Sequence, residues 1–171
     1  GLAGVDYPVE KIELETAGLS AARAQLLSSF NNGAGFVHYT GHGGVNHFSK
    51  QNLLTASDVA AMNNTNTPPV VVALSCLVGR YEAPGVNSLG EVLLREEGGA
   101  SAVWGPSGLS LNTPATALSD AFYGAILQQQ CGTLGLAIQQ ARESLIGDMF
   151  TKDTFLIYNL LGDPALRIGN N

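Results

Sequence analysis

The sequence predicts an α/β sandwich built on a mainly parallel sheet, and three observations carry that prediction. The run Val70-Val71-Val72-Ala73-Leu74 is apolar at every position, as a central parallel strand covered on both faces should be. Two further β-type runs, residues 35–41 and 100–104, are separated from it by stretches with helical periodicity, the alternation that lays helices over parallel strands. With 171 residues, 45% of them hydrophobic, the chain is long enough to enclose one such core as a single domain.

Each element follows from local signals. Residues 9–15 set Val9, Ile12 and Leu14 against Glu10, Lys11, Glu13 and Glu15, an imperfect alternation that reads as an edge strand. Residues 20–30 put Ala22, Leu26, Leu27 and Phe30 on one helical face, and Asn31-Asn32-Gly33 supplies the stop. Strand 35–41 comes next, then a polar loop. Thr55-Ala56-Ser57-Asp58 resembles a capping box with Asp in place of Glu or Gln, opening a short helix through Met62. After strand 70–75, a loop with Pro84 and Gly85 leads into helix 88–97, closed by Gly98-Gly99. Strand 100–104 is expected to break at Gly105-Pro106. Asn112-Thr113-Pro114 reads as a cap with proline in the first turn, ahead of a stripe of Leu118, Ala121, Phe122, Ala125 and Ile126. A helix over about 133–146 follows. The tail, 155–168, reads as a helical or extended piece, a Gly162-Asp163-Pro164 turn and a last short strand.

Composition narrows the class. A net charge of -6, from 8 basic against 14 acidic residues with no basic block, argues against nucleic acid and anionic membranes as partners. No apolar run reaches the roughly 18 to 20 residues a membrane span needs. The abundance of Gly, Asn, Thr and Ser with few lysines suits a secreted, cell-surface or periplasmic protein. The chain opens Gly1-Leu2-Ala3 without methionine, so it is expected to be a fragment of a longer precursor. Two cysteines, Cys76 and Cys131, leave room for one bridge at most.

The chemistry lies at the strand ends. His42, in Thr40-Gly41-His42-Gly43-Gly44, and Cys76, in Leu74-Ser75-Cys76, each directly follow a β-type run. In a parallel sheet the carboxyl ends share one edge, so the two can converge. Cys76 follows His42 by 34 residues, enough for one helical crossover between neighbouring strands. A thiol attacks a carbonyl as thiolate, and an adjacent imidazole accepts its proton and later returns one to the leaving amine. His42 and Cys76 are therefore the candidate catalytic pair, and the amides of Gly43 and Cys76 the candidate oxyanion donors. The plain alternative is a buried core thiol and a loop histidine.

Four blocks, FVHYTGHGG (36–44), VVVALSCLVGRYE (70–82), GGASAVWGPS (98–107) and NLLGDPALRI (159–168), resemble, in that order, the gingipain family of caspase-like cysteine peptidases. The resemblance implies a caspase-like α/β/α sandwich, with His42 as general base, Cys76 as nucleophile, and the Gly43 and Cys76 amides around the oxyanion. Trp104 is similar in position to the family's aromatic pocket wall, and Ser75, beside the nucleophile, joins it as a candidate substrate contact; for Trp104, simple core packing is the competing reading. In the family's order the first strand lies inside the sheet, between the second strand and the histidine strand. Only residues 9–15 precede the histidine strand here, and they correspond to the second, so an upstream segment or companion chain is expected to supply the missing first strand. The family's histidine-orienting acid and its selector for basic side chains also lie upstream and have no counterpart in this chain.

The other polar residues carry milder expectations. His38 reads as a hydrogen-bonded sheet residue, His47 as a solvated loop residue near the rim, Arg80 and Glu82 as a loop ion pair, Cys131 as a packed thiol, and Asp163 as a turn former. The three histidines lack zinc-ligand spacing. No cofactor is expected; a structural calcium ion would leave no mark legible in the sequence. The expected function is a cysteine endopeptidase acting on a polypeptide. The same dyad would also serve sortase-like acyl transfer to an amine, and a catalytically silent binding module is the rival from another class.

Overall fold

The computed structural model describes residues 8–64, 66–128, 131–147 and 152–168. Its centre is a sheet of β1 (Phe36–Thr40), β5 (Val70–Leu74), β6 (Ala102–Pro106) and β7 (Tyr158–Gly162), in that spatial order. The first three strands run parallel and β7 pairs antiparallel to β6. Every residue of β5 and β6 is buried, because each strand has neighbours on both edges and a helical layer on both faces.

Side-chain alternation divides the core. Val71, Ala73 and Val103 point to the layer of α2 (Leu19–Asn31), α3 (Ala56–Val59) and α4 (Leu89–Arg95), where they meet Phe30, Val59, Leu89 and Leu93. Val70, Val72, Leu74, Ala102 and Trp104 point to α5 (Asn112–Leu127) and α6 (Leu134–Ser144), where they meet Leu118, Phe122, Leu134 and Ile138. Each large apolar side chain so enclosed contributes roughly 1.5 to 3 kcal/mol. This is the expected α/β/α sandwich.

Helix ends follow their caps. At α4 the Ser88 hydroxyl accepts from the Glu91 amide (3.3 Å) while the Glu91 carboxylate accepts from the Ser88 amide (2.8 Å), a reciprocal arrangement worth about 1 kcal/mol. At α3 the Asp58 carboxylate takes the Thr55 amide at 2.7 Å, as the Thr-x-x-Asp pattern predicts. Thr133 caps α6 through the Leu136 amide.

Several expectations are corrected. Residues 9–15 form no strand; only α1 (Leu14–Ala17) occurs there, with Ile12 and Leu14 packed on the first core layer and Val9 exposed. Strand β6 does not break at Gly105 but continues to Pro106, opposite Tyr158. Its pairing with β5 ends at Trp104, so on that side the N–H that Pro106 lacks is not needed. The N-cap of α5 is Leu111, with Asn112 already helical. The polar loop after β1 contains a small antiparallel sheet of β2 (Gly43–Gly44), β3 (His47–Phe48) and β4 (Leu54–Thr55). In the tail, α7 (Lys152–Ile157) and β7 precede the Gly162-Asp163-Pro164 turn, and in place of a last strand the described residues after it make a bridge from Arg167 to Thr133. Among the described residues no helix is long and apolar enough to cross a membrane.

Candidate active site

Register brings the two loops together. Thr40 of β1 pairs with Leu74 of β5, and the Gly41 amide extends the ladder to the Leu74 carbonyl at 3.1 Å. His42 and Cys76 are each the second residue beyond that last pair, on strands about 4.8 Å apart. They leave the same edge of the sheet at the same level. His42 is exposed and Cys76 half-buried.

The histidine loop is held by its backbone. The His42 carbonyl accepts from the Tyr39 hydroxyl at 2.6 Å and from the Ser49 amide at 2.7 Å. Tyr39 is stacked on Phe48 with ring centroids 4.1 Å apart. Burial pushes its phenol above the usual range, with a backbone bond from Ser49 opposing, so the hydroxyl remains a donor. Gly41 has φ 155°, and a Cβ there would stand 2.8 Å from the Tyr39 oxygen; this tight turn needs glycine.

Gly43 is where the loops touch. A Cβ on it would lie 2.1 Å from Ser75 Oγ and 3.2 Å from the Cys76 carbonyl oxygen. Gly43→Ala must therefore push the histidine loop off the cysteine loop. The expected result is a fall of about 10²-fold in kcat/KM, the scale of an ångström-sized misplacement, with the protein still folded. Peptide turnover and circular dichroism on the same sample measure both, and unchanged turnover would mean that this contact does not set the geometry.

On the cysteine side, Leu77 adopts φ 63°, a left-handed conformation that costs a leucine on the order of 1 kcal/mol or more. The turn is held by the Leu77 amide donating to the Gly108 carbonyl (3.1 Å) and the Gly79 amide donating to the Pro106 carbonyl (2.9 Å). It presents Cys76 at the rim. The Ser110 amide donates to Cys76 Sγ at 3.4 Å, and the thiol points to the Ser110 carbonyl at 3.7 Å. The Cys76 amide has no acceptor among the described residues, as an oxyanion donor requires. Both cysteines are free, so no bridge consumes the thiol.

The two candidate substrate contacts, Trp104 and Ser75, are both buried within this chain. Trp104 is wholly buried among Phe122 and Tyr158, its centroid 4.6 Å from that of Phe122. It is core, because β6 is covered on both faces. Ser75, the residue after β5, is also buried, with its hydroxyl close against Gly43.

His38 lies between the Tyr123 hydroxyl (3.2 Å) and Thr40 Oγ1 (3.0 Å). Although part of the residue is exposed at the sheet edge, desolvation of its ring lowers the imidazole's pKa, with the Asp120 charge opposing. It is the hydrogen-bonded sheet residue expected. His47 is a partly exposed loop residue beside Gly44, bonded to Asn46 Oδ1 at 3.0 Å. Arg80 and Glu82 pair at 3.1 Å with both side chains exposed. Asp163 accepts from the Ala165 amide at 2.8 Å, and Cys131 is buried against Gln140. Among the described residues no group of three or more His, Cys, Asp or Glu could hold a metal ion.

Three residues at the site were not singled out from sequence: Tyr39, Ser110 and Tyr158. Ser110 follows the carboxyl end of the third parallel strand, so the reasoning that found His42 and Cys76 extends to it. Tyr158 gives no such signal.

Comparison with known proteins places these features. The family model described as peptidase family C25 matches residues 6–169. No curated protein matches the sequence. Among solved structures, the Arg-specific cysteine proteinase gingipain R (RgpB) superposes with a TM-score of 0.77 at 18% identity, covering 85% of this chain and 36% of that one. A complex of Porphyromonas gingivalis RgpB pro- and mature domains gives 0.75 at 19%, covering 84% and 36%. A structure described only as a protease gives 0.65 at 21%, covering 82% and 36%. These likenesses establish the fold, and the chain spans about a third of the length of each.

Proposed function

This chain belongs to peptidase family C25, and we propose that it is the catalytic part of a cysteine endopeptidase with His42 as general base and Cys76 as nucleophile. The observation that carries the reading is the register of β1 on β5, which delivers both residues to one rim at one level. The Cys76 thiolate, its proton passed to the His42 imidazole, attacks the scissile carbonyl carbon. The C–S bond forms and the carbonyl electron pair moves to oxygen, where the Gly43 and Cys76 amides receive it. Collapse breaks the C–N bond, and the imidazolium gives its proton to the departing amine. Water, deprotonated by His42, then cleaves the thioester and releases the acid. These steps need no cofactor.

The substrate is a polypeptide. A segment outside this chain pairs with β1, which is an edge strand in the described sheet and so offers unpaired backbone groups. The match of this chain to 36% of the length of gingipain R supports the proposal. A composition rich in Gly, Asn, Thr and Ser with few lysines supports a place outside the cytoplasm, secreted or at the cell surface or periplasm.

The test uses the protein with its natural flanking sequence and a library of peptidyl acyloxymethyl ketones, followed by peptide mapping. One adduct on Cys76, with the buried Cys131 unmodified, is the expected result. Modification of Cys131 alone, or of neither thiol, would refute the assignment. Adding a free amine during turnover of a peptide substrate separates hydrolysis, which leaves a carboxylate product, from acyl transfer.

A further inference from the structure

We propose that Ser110 is a positioning residue for the Cys76 thiol, braced from behind by the hydroxyl of Tyr158; the proposal rests on Cys76 being the nucleophile. Both backbone groups of Ser110 face the sulfur, the amide as donor at 3.4 Å and the carbonyl as acceptor at 3.7 Å. The carbonyl can hold only the thiol form, whereas the amide serves the thiolate equally, so this contact survives ionisation. A cysteine side chain has three staggered positions about χ1. The Ser110 contacts select one.

Ser110 is itself fixed. Its Oγ lies 3.2 Å from the Tyr158 hydroxyl, and Tyr158 is 1% exposed and packed edge-on against Trp104. Burial pushes the Tyr158 phenol up to about 12, with the Ser110 bond opposing and the Cys76 charge adding, so the brace keeps its proton at working pH. The start of the same loop is tied as well. The Ser107 amide and hydroxyl both donate to the Ile157 carbonyl (2.8 and 3.2 Å), and the Asn159 side-chain amide reaches Ser107 Oγ at 3.1 Å. The Gly108 carbonyl takes the Leu77 amide. The antiparallel strand β7 thus acts on the nucleophile through a loop of about four residues. This gives the Tyr158-Asn159 segment a role that neither the dyad nor the oxyanion donors supply.

The experiment compares wild type with Tyr158→Phe, Ser110→Ala, the double variant and Ser110→Thr, reading kcat, KM, the iodoacetamide alkylation rate at Cys76 and Tm. Each of the first two is expected to lower kcat and the alkylation rate about three- to tenfold, the scale of one neutral hydrogen bond. KM should hold, the double variant should be no slower than the slower single, and Ser110→Thr, which keeps a hydroxyl, should recover most of the loss. A purely structural role would lower Tm and leave the rates of folded protein unchanged, and that result would overturn the proposal, as would additive losses. Wild type that is not labelled at Cys76 would instead strike the dyad reading.

Discussion

Cys76→Ala is expected to lower kcat for peptide hydrolysis by a factor on the order of 10⁴ to 10⁶, the range seen when a covalent nucleophile is removed, and to leave the fold intact. The size follows from the proposed mechanism, in which loss of Sγ leaves no thioester and only water for His42 and the two amides to act on. The structural cost is small. The Cys76 side chain is half-buried, and its polar contacts are the two with Ser110, so stability should change by no more than about 1 kcal/mol. A fluorogenic peptide assay alongside urea denaturation reads both quantities. Residual turnover above one percent of wild type would mean that another group carries the reaction.

Trp104→Ala is expected to act in the opposite sense, costing about 3 to 5 kcal/mol of stability, a large part of the 5 to 15 kcal/mol typical of a domain. Trp104 is wholly buried against Phe122 and Tyr158, between Val72 on β5 and Leu160 on β7. Among the described residues its Nε1 has no hydrogen-bond partner, so Trp104→Phe removes that N–H along with volume and should cost less. The urea midpoint measures both variants. A pocket-wall tryptophan would give another pattern, a raised KM with the midpoint unmoved, and that outcome would return Trp104 to the substrate site.

What was legible in the sequence was what local patterns dictate. Five consecutive apolar residues mark β5 without further help, and a paired strand one crossover earlier follows from the spacing of His42 and Cys76. The strand-end rule found both because it depends only on where a β run stops. Residues 9–15 failed because alternation in a short segment fits an exposed approach to a helix as well as a strand. Strands of two residues, such as β2 and β3, have no period to detect. Trp104 was misplaced for a related reason: its Gly-Pro neighbours suggested a rim, but pairing with β7, a contact across more than fifty residues, extends β6 past it and closes the core over its ring. Ser110 lies just past a strand end, where the same rule reaches it, whereas Tyr158 approaches Cys76 only by way of Ser110, a contact 48 residues apart that no window of sequence contains.

Whether a sulfur and an imidazole work together at one rim of the sheet is decided by a crystal structure of the protein captured with a peptidyl ketone. The expected complex has a bond to Cys76 Sγ, the inhibitor oxygen within hydrogen-bond reach of the Gly43 and Cys76 amides, and the His42 ring beside the adduct. An adduct whose oxygen faces away from both amides, or a His42 ring turned to solvent with no contact to the bound group, would contradict it.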